Sequence, residues 1–162
     1  MKMEYAKRKS PRAYFHHYSA GDYFVTICTR DRHHFFGEIT DGEIQLTPLG
    51  QYASEMLAHL PLRFPYVDVS DYVVMPNHVH IIIGVHPDDL DDGALPAERT
   101  ALSVVVGCFK QAVTSFARRH GYDFAWQSRY HDRIIRNREE FDLISDYIRK
   151  NVGRWQQDCF HT

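Results

Sequence analysis

His78-Val79-His80 follows Met75-Pro76-Asn77 and runs into Ile81-Ile82-Ile83, so two imidazoles sit in an apolar, β-prone stretch. Side chains alternate faces along a strand, which points His78 and His80 the same way, roughly 6 to 7 Å apart along the strand, and Val79 the other way. Two imidazoles on one face of a rigid element are half of a metal site. The competing reading is a pair that only hydrogen-bonds beneath a helix. A second pair lies near the other end of the chain. Tyr147 and Asn151 are four residues apart in a helical pattern, so they share a face one turn apart, about 5 to 6 Å between Cβ atoms. Asn151 offers a neutral oxygen ligand and Tyr147 a phenol able to act as a covalent nucleophile; read structurally, the same two are a tyrosine packed on a sheet and an asparagine at a helix end.

Taken together, two histidines from a strand and an amide oxygen from a helix form a mixed nitrogen and oxygen set with open positions. Such a set suits Mg²⁺ or Mn²⁺ contacting a phosphate better than a closed structural zinc. The expected chemistry is in-line attack of Tyr147 on phosphorus, with the metal polarising a non-bridging oxygen and stabilising a leaving 3′-oxygen. The products would be a 5′-phosphotyrosine and a free 3′-hydroxyl. Lys110, Arg129, Arg133 and Arg136 are candidate phosphate contacts, and Trp126 or Tyr130 could stack on an unpaired base. His16, His17, His33, His34, His59, His86, His120, His131 and His161 have no second motif to pair with and are read as non-ligands, with His131 the one to reconsider. No phosphate-binding glycine loop accompanies the site, so nucleotide hydrolysis is not implied.

The elements that must position these residues follow from local patterns. Tyr23 to Thr29 reads as a first, central strand after the Ala20-Gly21-Asp22 turn. Phe35 to Ile39 and Glu43 to Leu46 flank Thr40-Asp41-Gly42 as a small hairpin outside the main sheet. Thr47-Pro48 opens a helix carrying Leu49, Ala53, Met56, Leu57 and Leu60, expected to stop near Pro61. Val67 to Val74 and His78 to Val85 are two strands expected to pair antiparallel across Met75-Pro76-Asn77. Asp88 to Glu98, with five acids, reads as a flexible surface loop. A second helix is expected from about Ser103 to Gly121 and a loop over 124–130 feeding a last strand. The final helix begins at Asn137, set three residues before Glu140 as in a capping box, and buries Phe141, Ile144, Ile148 and Val152. The order strand, helix, strand, strand, helix, strand, with an added hairpin and a terminal helix, predicts an α+β fold: an antiparallel ferredoxin-like sheet (βαββαβ) with helices packed on it.

A chain of 162 residues is read as one domain, with a basic arm over 1–12 and a C-terminal tail over 152–162. No run approaches the 18 apolar residues of a membrane span and no signal-peptide pattern is present, so a cytoplasmic protein without membrane contact is expected. Cys28, Cys108 and Cys159 are too few and too scattered for a disulfide framework or a thiolate zinc site. The net charge of −2 hides a segregation: Lys and Arg number 7 against 3 acids over 1–36, 2 against 11 over 37–100, and 10 against 7 over 101–162. Basic ends could assemble a surface for a polyanion, because phosphate contacts respond to local charge.

Met75-Pro76-Asn77-His78-Val79-His80, Trp126-Gln127 with Tyr130, Asp132 and Ile135-Arg136, and Asp146-Tyr147-Ile148 with Asn151 closely resemble the single-tyrosine HUH transposases of small bacterial insertion sequences, in their REP-associated tyrosine transposase branch. The resemblance spans about Arg8 to Asn151. It implies metal-dependent nicking and rejoining of single-stranded or hairpin-flanked DNA on a ferredoxin-like fold, with His78, His80 and Asn151 as metal ligands and Tyr147 as nucleophile. It also implies a homodimer as one option, without deciding whether the tyrosine acts on its own or a partner's metal site. One departure is visible: Val152-Gly153-Arg154-Trp155 stands where many relatives have proline and a short apolar and basic stretch. A domesticated hairpin-binding protein that does not cut, and a phosphoesterase using water in place of tyrosine, are the alternative functions.

Overall fold

A computed structural model describes residues 21–86 and 100–162. The expected basic arm, His16, His17 and the acidic loop over 88–98 lie outside the described residues. The chain runs β1 (Gly21–Cys28), β2 (Gly37–Thr40), β3 (Glu43–Leu46), α1 (Pro48–Arg63), β4 (Val67–Met75), β5 (His78–Val85), α2 (Ala101–Arg119), β6 (His131–Ile135) and α3 (Arg138–Lys150), then a 3-10 turn over Val152–Gln157. β4-β5-β1-β6 form one sheet in that order, antiparallel at every junction, and β2-β3 form a separate two-stranded ribbon. This is the predicted α+β fold.

Local chemistry explains where the elements begin. The Thr47 hydroxyl accepts from the Gly50 N–H at 3.1 Å and donates to the Phe35 carbonyl at 2.8 Å, capping α1 while tying it to the ribbon. Asp41 and Gly42 take φ of 54° and 77°, the left-handed pair that a tight hairpin requires. Thr100 caps α2 through the Ser103 N–H, which starts that helix two residues before the expected Ser103. The Asn137 side chain caps α3 by accepting from the Glu140 N–H at 2.8 Å, and the Glu140 carboxylate reaches the Arg136 N–H. α1 runs past Pro61 to Arg63. In the last turn a proline removes a single bond, and the Phe64 N–H still reaches the Leu60 carbonyl at 2.9 Å.

The two faces of the sheet have different jobs. Tyr23, Val25 and Ile27 of β1 join Val79, Ile81 and Ile83 of β5 in the main core beneath α1 and α2. The alternate residues turn to the opposite face, where Ile82 packs with Ile135, Phe141, Ile144 and Ile148 under α3. In register, Phe24 lies opposite Ile82, Thr26 opposite His80 and Cys28 opposite His78. The histidine pair is therefore on the α3 face. β4 carries a bulge between Val69 and Tyr72, and beside it Asp71 accepts from Ser145 Oγ and from Arg149 Nε, holding α3 against the sheet. No helix among the described residues is long and apolar enough to cross a membrane.

Candidate active site

Both imidazoles are fully buried and each is fixed through its Nδ1. The Asn77 amide nitrogen is committed to the Phe160 carbonyl at 2.8 Å, so its oxygen faces His78 and accepts from the His78 Nδ1–H at 2.7 Å. His80 Nδ1 meets the Thr26 hydroxyl at 2.8 Å. These partners turn the two Nε2 atoms toward each other, 3.1 Å apart. His78 Nε2 then carries a lone pair, and His80 Nε2 can donate to it only while Thr26 donates to Nδ1. When Thr26 accepts instead, two lone pairs face each other, an arrangement that a bound cation would relieve. Adjacent ligands around an octahedral cation of Mg²⁺ size also lie about 3 Å apart.

Burial pushes both imidazoles down to about 3. The Arg32 charge adds to the shift at His78; the neighbouring His78 adds to that at His80, against an upward pull from Asp158. At neutral pH both are uncharged, the form that binds metal.

Tyr147 comes from α3 of the same chain, with its hydroxyl 3.5 Å from His80 Nε2 and its ring edge-on to Phe24. Burial raises its ionisation above the usual phenol range, and the Asp158 charge adds to the rise, while the Asn151 amide works in the opposite direction. Asn151 is 1% exposed, and neither its oxygen nor its nitrogen has a hydrogen-bond partner among the described residues. Asp158 was not foreseen. The turn after α3 carries the chain back over the site, placing Asp158 Oδ2, also buried and unpartnered, 3.9 Å from His78 Nε2 and the Phe160 ring 4.7 Å from the His78 ring. Nitrogen and oxygen atoms of His78, His80 and Asp158 all lie within 4.8 Å of one another, a group that could hold a metal ion. Of the three orphaned buried polar atoms, the two oxygens, Asn151 Oδ1 and Asp158 Oδ2, fit a cation that would satisfy them, while the Asn151 amide nitrogen is a donor and calls for an acceptor.

An uncharacterized protein of Haemophilus influenzae is 35% identical over 164 residues, spanning 93% of this chain and 91% of that protein. The chain belongs to that protein's family. No family model matches. Among solved structures, a REP-associated tyrosine transposase bound to a REP hairpin is similar over 92% of this chain and 72% of its own, with a TM-score of 0.57 and 21% identity, a likeness of fold. A candidate transposase from Deinococcus radiodurans aligns over 80% of this chain and 88% of its own at 15% identity, with a TM-score of 0.49.

In this member of the family the remaining predicted residues separate. The Trp126 indole N–H donates to the Lys110 carbonyl and its ring packs against Phe36, Phe109 and Phe124. The Lys110 ammonium donates to the Gln127 carbonyl, and burial lowers its pKa. Both thus brace the loop that joins α2 to β6. Tyr130 is half-buried against the main core, Arg133 pairs with Glu140 at 3.3 Å, and Arg136 is exposed at the start of α3. Arg129 is exposed and lines a cleft with Arg30, Arg32 and His131. Asp158, Thr26 and Arg32 lie in stretches without motifs; only their return to His78 and His80 in three dimensions distinguishes them.

Proposed function

We propose that this chain is a metal-dependent DNA strand transferase, a single-tyrosine transposase-like enzyme that nicks and rejoins single-stranded or hairpin-flanked DNA through Tyr147. The observation that carries this reading is the Tyr147 hydroxyl 3.5 Å from a histidine nitrogen that itself converges with a second, in one chain. The fold shared with a hairpin-bound tyrosine transposase supports it. His78 and His80, with oxygen from Asn151 or Asp158, would hold Mg²⁺ or Mn²⁺. The ion supplies Lewis-acid stabilisation of charge on the phosphate and on the leaving 3′-oxygen.

The chain's own groups do the rest. α3 aims Tyr147 at a phosphorus seated beside the histidines. Its Oη–P bond forms as the P–O3′ bond breaks; the phenolic proton is lost and the 3′-oxygen gains one. Because burial holds the phenol neutral at rest, proton loss accompanies attack. A phosphotyrosine conserves the diester energy, so rejoining by a 3′-hydroxyl needs no nucleotide.

The test is incubation with a labelled hairpin-bearing oligonucleotide and Mn²⁺. A denaturation-resistant adduct is expected from the native chain and none from Tyr147→Phe. Hairpin binding without cleavage under any metal would make this a non-cutting binder, and turnover in the Phe variant would make it a phosphoesterase that uses water.

A further inference from the structure

Immediately past β1 the chain makes a turn in which Asp31 and Arg32 both take left-handed φ, 54° and 55°. Neither residue is glycine, so the conformation is held by its surroundings: the Arg32 N–H reaches the Thr29 carbonyl and the Thr29 hydroxyl the His33 carbonyl. The turn is also pinned to the loop before β6, through the Arg30 N–H to the Ala125 carbonyl and the Gln127 N–H to the Cys28 carbonyl, each at 2.9 Å. Between turn and loop opens a cleft of about 630 Å³ lined by Arg30, Arg32, Arg129 and His131, with Ser128 and a single acid, Asp31. Three arginines facing one carboxylate on a chain of net charge −2 concentrate positive potential where most of the molecule has none.

Two of its lining residues, Arg32 and His131, place the cleft beside the histidine site. Arg32 belongs to both: it lines the cleft, donates to the Cys159 carbonyl at 3.4 Å, and lies 5.5 Å over the Phe160 ring that covers His78. His131 stands opposite Thr26 on β6, and Thr26 opposite His80 on β5, so His131, Thr26 and His80 form one row across three strands. At strand spacing that row puts His131 roughly 10 Å from His80 on the same face. The Arg30 side chain is half-exposed and, among the described residues, makes long ion pairs of 3.9 Å to Asp31 and Asp123. Such exposed pairs are weak and yield readily to a phosphate.

The geometry points to this cleft as the seat of the phosphodiester backbone of an unpaired DNA strand, its phosphates held by Arg30, Arg129 and Arg32, leading the scissile phosphate to Tyr147. The inference rests on the strand-transferase reading and adds residues that the reading does not use. The strand is taken as unpaired because His78 and His80 are fully buried and Tyr147 half-buried, and a flexible single backbone can follow a cleft to them where a stiff duplex cannot bend. Arginine forks provide the recognition and bases are left to contacts elsewhere.

The test uses the full chain, a fluorescein-labelled oligothymidine of twenty residues, a blunt duplex of the same length, and anisotropy across a salt series. Arg30→Gln and Arg129→Gln are each expected to weaken oligothymidine binding about fivefold and to shrink the salt slope by about 0.7. Arg63→Gln, at the opposite end of the sheet where Val67 pairs with Val85, should do neither. Mn²⁺ binding, read by electron paramagnetic resonance, should be unchanged in all three, which separates loss of the cleft from loss of fold. Unchanged affinity and slope in both cleft variants, native preference for the duplex, or no native binding would overturn the inference. If the variants lose binding as expected while no tyrosine adduct forms, the cleft stands and the Tyr147 reading falls.

Discussion

His78 and His80 ionise near 6.5 in an unfolded chain but are pushed down to about 3 in the folded one. The unfolded state therefore binds more protons between these values. Stability is fully present above pH 6.5 and falls as pH drops toward 3, with a slope of up to about 1.4 kcal/mol per pH unit for each imidazole. Urea midpoints of the metal-free protein at pH 7.5, 6 and 5 should fall in that order, and the fall should flatten in a His78→Gln, His80→Gln double variant. Asp158 makes a prediction of another kind. Its Oδ1 accepts from the Phe160 N–H at 2.8 Å, but its buried Oδ2 has no donor among the described residues, so in the metal-free protein that oxygen is desolvated without compensation. Asp158→Asn should leave the metal-free protein at least as stable by thermal melting. It should also weaken Mn²⁺ binding by about tenfold or more by calorimetry if the carboxylate ligates. Unchanged Mn²⁺ affinity would remove Asp158 from the ligand set.

Elements set how precisely these residues meet. β5 carries the histidines in the middle of the sheet, whereas Tyr147 rides on α3, which is tied to β4 at Asp71 beside the bulge, bonded to Ser145 and Arg149. Asp71→Ala should cost about 1 to 3 kcal/mol of stability through the lost charge-assisted bonds. By loosening α3 alone it should slow adduct formation more than it weakens Mn²⁺ binding. Equal losses in both would show that α3 and β5 move as one body. The alternation of Val67-Asp68-Val69-Ser70 slips at Asp71, a local mark of the bulge, but nothing near Asp71 reveals its partners, which are 74 and 78 residues away. Local signals were legible. The Thr47 and Asn137 caps, the Asp41-Gly42 turn, and the shared face of His78 and His80 depend on neighbours within four residues, and each is present in the structure. Asp158 was not legible, since a tail without periodicity gives no sign that it folds back over a strand eighty residues earlier.

At the scale of the whole molecule, the question is how many chains make one site. The tyrosine helix packs on its own sheet: the residues of the proposed site, Tyr147, His78, His80, Asn151 and Asp158, come together within one chain, and Ile144 and Ile148 of the same helix are buried against Ile82 of the histidine strand. To act on another chain's metal, α3 would have to leave that apolar contact and break the Asp71 tie. Burying two isoleucines and a phenylalanine contributes roughly 1.5 to 3 kcal/mol per side chain, so such an exchange is strongly disfavoured without compensating contacts. The expected consequence is kinetic. Adduct yield per chain should be independent of protein concentration, and mixing Tyr147→Phe with a His78→Ala, His80→Ala variant should restore no activity. Complementation to about a quarter of the native yield, half the dimers being mixed and each with one intact site, would instead mean that α3 crosses between chains, and the packing of Ile144 and Ile148 on Ile82 would then have to form between subunits.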